Sequence, residues 1–152
     1  MTIRIALISV FLCVSLQGPL TGAADDRCPP TQPDAQGPFY KPSVPLRDNT
    51  GTGLIIEGTV LTTASCEAIA GARVEWWQTA ATGRYDDDHR GARLTDSEGR
   101  YRIETDFPPP YSGRPSHVHF KVFAPGHRIL TTQVYPEKGQ RVIPFDFVLV
   151  PE

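Results

Sequence analysis

Short runs of apolar residues, alternating or continuous, follow one another from Leu54 to the end of the chain. They read LIIEGTVL, GARVEWWQT, SHVHFKVFA, ILTTQVY and VIPFDFVLV, and residues such as Gly, Pro and Asp separate them. The sequence shows no apolar i, i+3, i+4, i+7 pattern over a helical length. Repeated short strands separated by such turn-forming residues predict one all-β domain, either a sandwich or a barrel.

Two segments carry more detailed predictions. In GARVEWWQT, Trp76 and Trp77 point to opposite faces of the strand, so one of them should lie in the core. The segment TDSEGRYRIET predicts a β-hairpin whose turn runs from Asp96 to Gly99. At least one strand of the domain is therefore expected to have one face in the core and the other face outside it.

Residues 1–24 have the layout of a secretory signal peptide. Arg4 precedes an apolar run from Ile5 to Leu16, and small residues lead to a cleavage site after Ala23 or Ala24. The alternative is a membrane anchor, but the run is shorter than the roughly 20 apolar residues that a span needs. We expect a secreted or periplasmic protein that has no membrane association once the signal is removed.

Residues 25–53 are rich in Pro, Asp, Thr and Gly and predict an extended N-terminal arm, which leaves 54–152 for the sandwich. Cys28 lies in this arm and Cys66 in the domain. In an exported protein, these two cysteines most simply form a disulfide that ties the arm to the domain, and two free thiols are the alternative.

The charge balance limits the class of partner. Lys and Arg number 15 and Asp and Glu number 17, so the formal net charge is −2. The sequence contains no basic stripe that would attract nucleic acid or an anionic membrane surface, and neither is expected as a partner. The sequence leaves open whether the chain forms a homo-oligomer.

The segment PPPYSGRPSHVHFKV contains two of the four histidines of the chain. In a strand, His117 and His119 project from one face while Val118 and Phe120 point to the other, so both imidazoles can reach one metal ion. Taken alone, the pair is equally consistent with ordinary residues of a solvated or hydrogen-bonded strand face. The candidate site therefore depends on a third kind of ligand.

Several groups could supply that ligand. A zinc site usually adds a cysteine, another histidine or a carboxylate, and an iron(II) site could take a carboxylate from DDDH, residues 86–89. Otherwise these aspartates are expected in a solvated loop. Tyr85 in TGRYDDD and Tyr111 in PPPYSGRP lie in polar, turn-like segments, and a phenolate ligand requires a strongly acidic cation such as iron(III).

The remaining candidate residues are expected to have structural roles. Tyr101 and Tyr135 fall in strand patterns, which favours packing. His89 and His127 are expected to be exposed loop residues.

Five blocks of the sequence, GPFY, WWQTAATGRYDDD, LTDSEGRYRIET, PPPYSGRPSHVHF and ILTTQVY, resemble the intradiol ring-cleavage dioxygenases, the protocatechuate 3,4-dioxygenase-like family. The resemblance implies a two-sheet β-sandwich, an Fe(III) cofactor, and O2-dependent cleavage of a catechol-type ring to a muconate-type diacid. By this resemblance the metal ligands are Tyr85, Tyr111, His117 and His119, with Tyr111 and Arg114 catalytic and Trp77 and Gln133 in the substrate pocket.

The sequence also departs from that family. Only SGRPS separates Tyr111 from His117, where members of the family have a longer loop, so one wall of the pocket should be open. The segments from 54 to 105 also resemble prealbumin-like sandwiches, which bind rather than catalyse. A non-catalytic binding module and a dioxygenase homologue without metal are therefore the alternatives.

Overall fold

A computed structural model of the chain describes residues 28–152, so the predicted signal peptide lies outside the described residues. This part of the chain contains strands and no helix, and thus none that could span a membrane. The strands are β1 (Asn49–Thr50), β2 (Gly53–Thr62), β3 (Arg73–Thr79), β4 (Tyr85–Leu94), β5 (Arg100–Asp106), β6 (Val118–Phe123), β7 (Leu130–Val134), β8 (Val142–Pro144) and β9 (Phe147–Leu149).

The strands form two sheets, which confirms the predicted all-β sandwich. One sheet has the order β1-β5-β2-β8, and β9 also pairs with β2. The other has the order β4-β3-β6-β7, and all three of its pairings are antiparallel. In this second sheet, Trp77 of β3 lies opposite His119 of β6, and Thr79 of β3 lies opposite Tyr85 of β4.

The hydrophobic core lies between the sheets and follows from the alternation of each strand. Trp76, Val118 and Phe120 are fully buried from one sheet, and Ile56 and Ile103 from the other. Burying each such side chain stabilises the fold by roughly 1.5–3 kcal/mol. The opposite face of β3 and β6 is therefore free to carry polar side chains.

Trp76 is the tryptophan that enters this core, and its surroundings are specific. Its indole N–H donates to the hydroxyl of Thr50 at 2.8 Å, which satisfies the polar atom of a buried ring. Gly91 of β4 lies against the same ring, and a Cβ at that position would be 2.6 Å from Trp76 Cζ2. A side chain at position 91 would displace the tryptophan.

The predicted hairpin in TDSEGRYRIET is wrong, although the turn itself is present. The N–H of Gly99 donates to the carbonyl of Asp96 at 3.0 Å, which closes the turn. The strands on either side then enter different sheets, since β4 pairs with β3 and β5 pairs with β2. Turn chemistry is local, whereas the partner of a strand is decided by packing across the whole domain.

The N-terminal arm is docked along the sandwich. Cys28 and Cys66 form a disulfide with an S–S distance of 2.09 Å. The N–H of Thr31 donates to Val148 at 3.1 Å, and the N–H of Asp34 donates to Thr131 at 2.9 Å. Because β9 and β7 belong to different sheets, the arm bonds to both of them.

The expectation of an exposed loop is wrong for His89, which lies in β4 with a side chain only 15% exposed. Its Nδ1 is 2.7 Å from Asp86 Oδ1, and its Nε2 is 3.2 Å from Oδ2 of Asp106 in the other sheet. Burial lowers the pKa of His89, but these two carboxylates outweigh it and the pKa is raised. His127 is also half-buried and contacts Thr62 Oγ1 at 3.0 Å.

Candidate functional site

Three polar side-chain atoms converge on the outer face of the four-stranded sheet. The hydroxyl oxygen of Tyr85 is 3.1 Å from Nε2 of His117 and 2.9 Å from Nε2 of His119. Tyr85 is the first residue of β4, His119 lies in β6, and His117 comes directly before β6. Since β3 separates β4 from β6, the side chains meet above Trp77 of β3, whose ring stacks on His119 with centroids 4.9 Å apart.

The Nε2 atoms of both imidazoles face this point. The Nδ1 of His117 is 2.7 Å from the carbonyl of Pro115, a contact that in the neutral ring places the proton on Nδ1 and leaves the lone pair on Nε2. Burial lowers the pKa of His119 to about 4, and the nearby His117 and Arg114 charges act in the same direction. His119 is therefore neutral at pH 7, as a metal ligand must be.

The hydroxyl of Tyr85 is a neutral phenol in the metal-free site. Burial, followed by the neighbouring Tyr111, raises the pKa of Tyr85 to about 12, and Arg114 opposes this shift. Two imidazole nitrogens and one phenol oxygen suit a strongly acidic cation that can stabilise a phenolate, and iron(III) is such a cation. The donor set thus fits the cofactor that the family resemblance implies.

The other ligand sets considered from the sequence find no support in residues 28–152. This part of the chain contains no cluster of three His, Cys, Asp or Glu side chains that could hold a metal ion. Asp86 is directed to His89, and Asp87 pairs with Lys41. Both described cysteines are in the disulfide. Tyrosine is therefore the third donor type at the histidine pair.

Tyr111 lies beside these three residues without a hydrogen bond to them. Its ring centroid is 5.3 Å from that of Tyr85, and the two rings are nearly perpendicular. Tyr111 and Arg114 exchange backbone hydrogen bonds of 3.2 and 2.9 Å across Ser112 and Gly113, whose φ angles are 50° and 79°. These positive φ values are typical of a type I′ turn, so the short loop between Tyr111 and His117 begins with a two-residue turn.

Arg114 lies at the end of this turn and is held by a polar network. Its Nη2 donates to Gln133 Oε1 and to the hydroxyl oxygen of Tyr135, both at 2.8 Å. The Tyr135 hydroxyl is 2.7 Å from Oδ2 of Asp34, and Gln133 donates to the carbonyl of Ala35. The expectation of a packing role for Tyr135 is wrong, because its side chain is 40% exposed and its hydroxyl belongs to this network. Tyr101, in contrast, is buried in the core.

The arm supplies site residues whose role was not predicted from the sequence. Phe39 stacks on Tyr85 with centroids 4.4 Å apart, and its carbonyl accepts a 3.0 Å hydrogen bond from the buried Arg90. Gly37 has a φ of +68°, and a Cβ on it would be 3.4 Å from His119 Cε1. The available signal was the GPFY segment, whose aromatic side chains follow a Gly-Pro pair in an otherwise polar arm.

A protein-family model described as Dioxygenase matches residues 35–150 of the chain. The chain belongs to the intradiol ring-cleavage dioxygenase family. The matched range contains the converging tyrosine and histidines, the turn with Arg114, and the Gly-Pro-Phe-Tyr segment of the arm.

Curated members of the family show the same relationship over part of their length. The chlorocatechol 1,2-dioxygenase of Pseudomonas putida is 31% identical over 168 residues, covering 88% of this chain and 64% of that protein. The catechol 1,2-dioxygenase of Candida albicans is 33% identical, covering 65% of this chain and 45% of that protein. The chain therefore spans less than two thirds of the length of these two relatives.

A solved structure matches this intradiol dioxygenase sandwich over its whole length. The dioxygenase domain of a dioxygenase carbohydrate-binding protein fusion from the cellulolytic bacterium Streptomyces sp. SirexAA-E has a TM-score of 0.73 and 29% identity. The match covers 82% of this chain and 100% of that one. The compact sandwich described above thus corresponds to a complete dioxygenase domain in another protein.

Proposed function

We propose that this chain is an exported non-haem iron(III) dioxygenase that cleaves catechol-type rings between the two hydroxylated carbons. The observation that carries the proposal is the convergence of the Tyr85 hydroxyl on Nε2 of both His117 and His119, with Arg114 close by. One O2 and one catechol contain all the atoms of the muconate-type diacid, so the reaction needs no external reductant. The proposed site, which consists of side chains that would hold the iron, therefore does not have to bind a reductant.

Tyr85, Tyr111, His117 and His119 would hold the iron. Iron(III) held by these residues would supply Lewis acidity, which makes a catechol ring reactive toward O2. Phe39 and Trp77 cover Tyr85 and His119 with stacked rings, which orients these two side chains and excludes water from one side of them.

Tyr111 and Arg114 act on the substrate itself. Tyr111 would hold the iron as a phenolate, and its oxygen would accept a proton from a catechol hydroxyl as that hydroxyl binds, so that Tyr111 becomes a neutral phenol. The guanidinium of Arg114 can stabilise negative charge on the substrate oxygens. Gln133 accepts a hydrogen bond from Nη2 of Arg114 and so helps to orient the guanidinium.

Export is the second part of the proposal. The signal-peptide pattern of residues 1–24, with cleavage near Ala23 or Ala24, supports it. The disulfide between Cys28 and Cys66 adds support, because disulfides persist in oxidising compartments such as the periplasm or the extracellular medium.

The test is to purify the protein, measure its iron content and visible absorption, and follow O2 uptake with a panel of catechols. We expect bound iron, a visible iron(III)–tyrosinate band and O2 consumption. His119→Ala should abolish all three, whereas the matched control His127→Ala, remote from the site, should retain them. A protein that binds catechols without iron or O2 uptake would instead be a binding module, and the proposal would be wrong.

A further inference from the structure

The hydrogen bonds of Arg114 are distributed unevenly over its guanidinium group. Nη2 has two N–H groups, and both are used, one to Gln133 and one to the oxygen of Tyr135. Within residues 28–152, Nε and Nη1 have no hydrogen-bond partner. One edge of the guanidinium is thus fixed by the protein while three N–H groups remain free.

Tyr135 connects this fixed edge to a negative charge. Because its oxygen accepts from Arg114, its own proton is directed to Asp34 Oδ2 at 2.7 Å, the shortest of its contacts. The same hydroxyl oxygen of Tyr135 is also 3.1 Å from Gln133 Oε1. Asp34, Tyr135 and Arg114 therefore form a directed chain from carboxylate through phenol to guanidinium, and hydrogen bonds to ionised groups are the stronger ones.

Asp34 is held in place although it lies in the irregular arm. Its backbone N–H donates to Thr131 of β7 at 2.9 Å, and its Oδ1 accepts from the N–H of Ala35 at 2.6 Å. The carbonyl of Ala35 accepts from Gln133, the other partner of Arg114. The disulfide at Cys28 anchors the arm a few residues earlier. The arm is consequently held against the domain by these contacts and contributes residues to the site.

We propose that Asp34 and Tyr135 are positioning residues of this dioxygenase, which lock one edge of Arg114 so that its free N–H groups face the substrate oxygens. The inference rests on the proposed function for the role of Arg114. It assigns the docked arm a part in catalysis that a simple linker would not have. Without Tyr135, Gln133 alone would leave the guanidinium free to rotate about a single hydrogen bond.

The first test measures the mobility of Arg114 without using activity or metal. Metal-free protein is treated with phenylglyoxal, and modification of each arginine is followed by mass spectrometry. We expect Arg114 to react several-fold faster in Tyr135→Phe than in wild type, with a smaller increase in Asp34→Asn. The exposed Arg100 serves as an internal reference, and Tyr101→Phe is the matched control. An unchanged rate at Arg114 in Tyr135→Phe would overturn the proposal.

The second test measures kinetics on the iron-loaded enzyme. We expect kcat to fall about tenfold in Tyr135→Phe, the loss of one hydrogen bond to a charged group, while iron content and the visible band stay unchanged. A kcat equal to that of wild type would overturn the proposal even if labelling is faster. If wild type itself consumes no O2 with any catechol, the proposed function fails, and the labelling rate still decides whether Tyr135 and Asp34 fix Arg114.

Discussion

Replacing Tyr85 with Phe tests the metal centre most directly, because it removes one oxygen and leaves the ring. The ring stacks on Phe39 with centroids 4.4 Å apart, and that contact does not need the hydroxyl. We therefore expect the metal-free variant to fold with a thermal midpoint within a few degrees of wild type.

The expected loss of iron can be estimated from the protonation of Tyr85. Even the ordinary tyrosine pKa of about 10 makes forming the phenolate at pH 7 cost about 4 kcal/mol. Burial and Tyr111 raise the pKa of Tyr85 to about 12 and increase this cost, which only a strongly acidic cation can offset. Removing a group that merely orients a metal ligand already costs roughly 10–100-fold in affinity. Loss of the phenolate itself should weaken iron(III) binding by more than about 100-fold.

The assay is a titration of metal-free protein with chelated iron(III), followed by visible absorption and by the protons released per iron bound. Wild type should develop the tyrosinate band and release a proton from Tyr85. Tyr85→Phe should release one proton fewer and lose most of the band, whereas Tyr101→Phe, a matched change in the core, should behave as wild type. A Tyr85→Phe variant with full iron content and an intact band would refute the assigned ligand set.

Three further predictions follow from other parts of the molecule. Arg114→Ala should keep the iron and the visible band but lower kcat by roughly 10²–10³-fold, the usual loss when a group that stabilises developing charge is removed, as steady-state O2 uptake will show. Cys66→Ser should lower the free energy of unfolding by about 2–4 kcal/mol in urea denaturation, because the disulfide joins residues 38 apart in sequence; an unchanged midpoint would contradict this. The raised pKa of His89 means that its protonated form stabilises the fold below an unfolded pKa of about 6.5, and this contribution is lost as pH rises through the folded pKa. His89→Gln should therefore flatten the fall in stability above that pH, with His127→Gln as the control.

The sequence by itself determined the fold class and placed the two histidines on one face of a strand. Period-two alternation sends Val118 and Phe120 into the core, which obliges His117 and His119 to share the opposite face. Short strands separated by Gly, Pro and Asp, without a helical pattern, indicate a β-sandwich, which the structure confirms. These properties are readable because they depend on the geometry of a single strand and its nearest neighbours in sequence.

Only the tertiary structure decided which distant groups join that face. From the sequence, the carboxylates of residues 86–89 and the hydroxyl of Tyr85 were both candidates, and the packing of β4 directs Tyr85 to the histidines. The sheet crossing after Asp96, the stacking of Phe39 and the contact of Asp34 with Tyr135 likewise depend on strand pairing and arm docking between residues far apart in the chain. Such pairings are set by the packing of the whole domain, whereas hydrophobic periodicity reports only on local geometry.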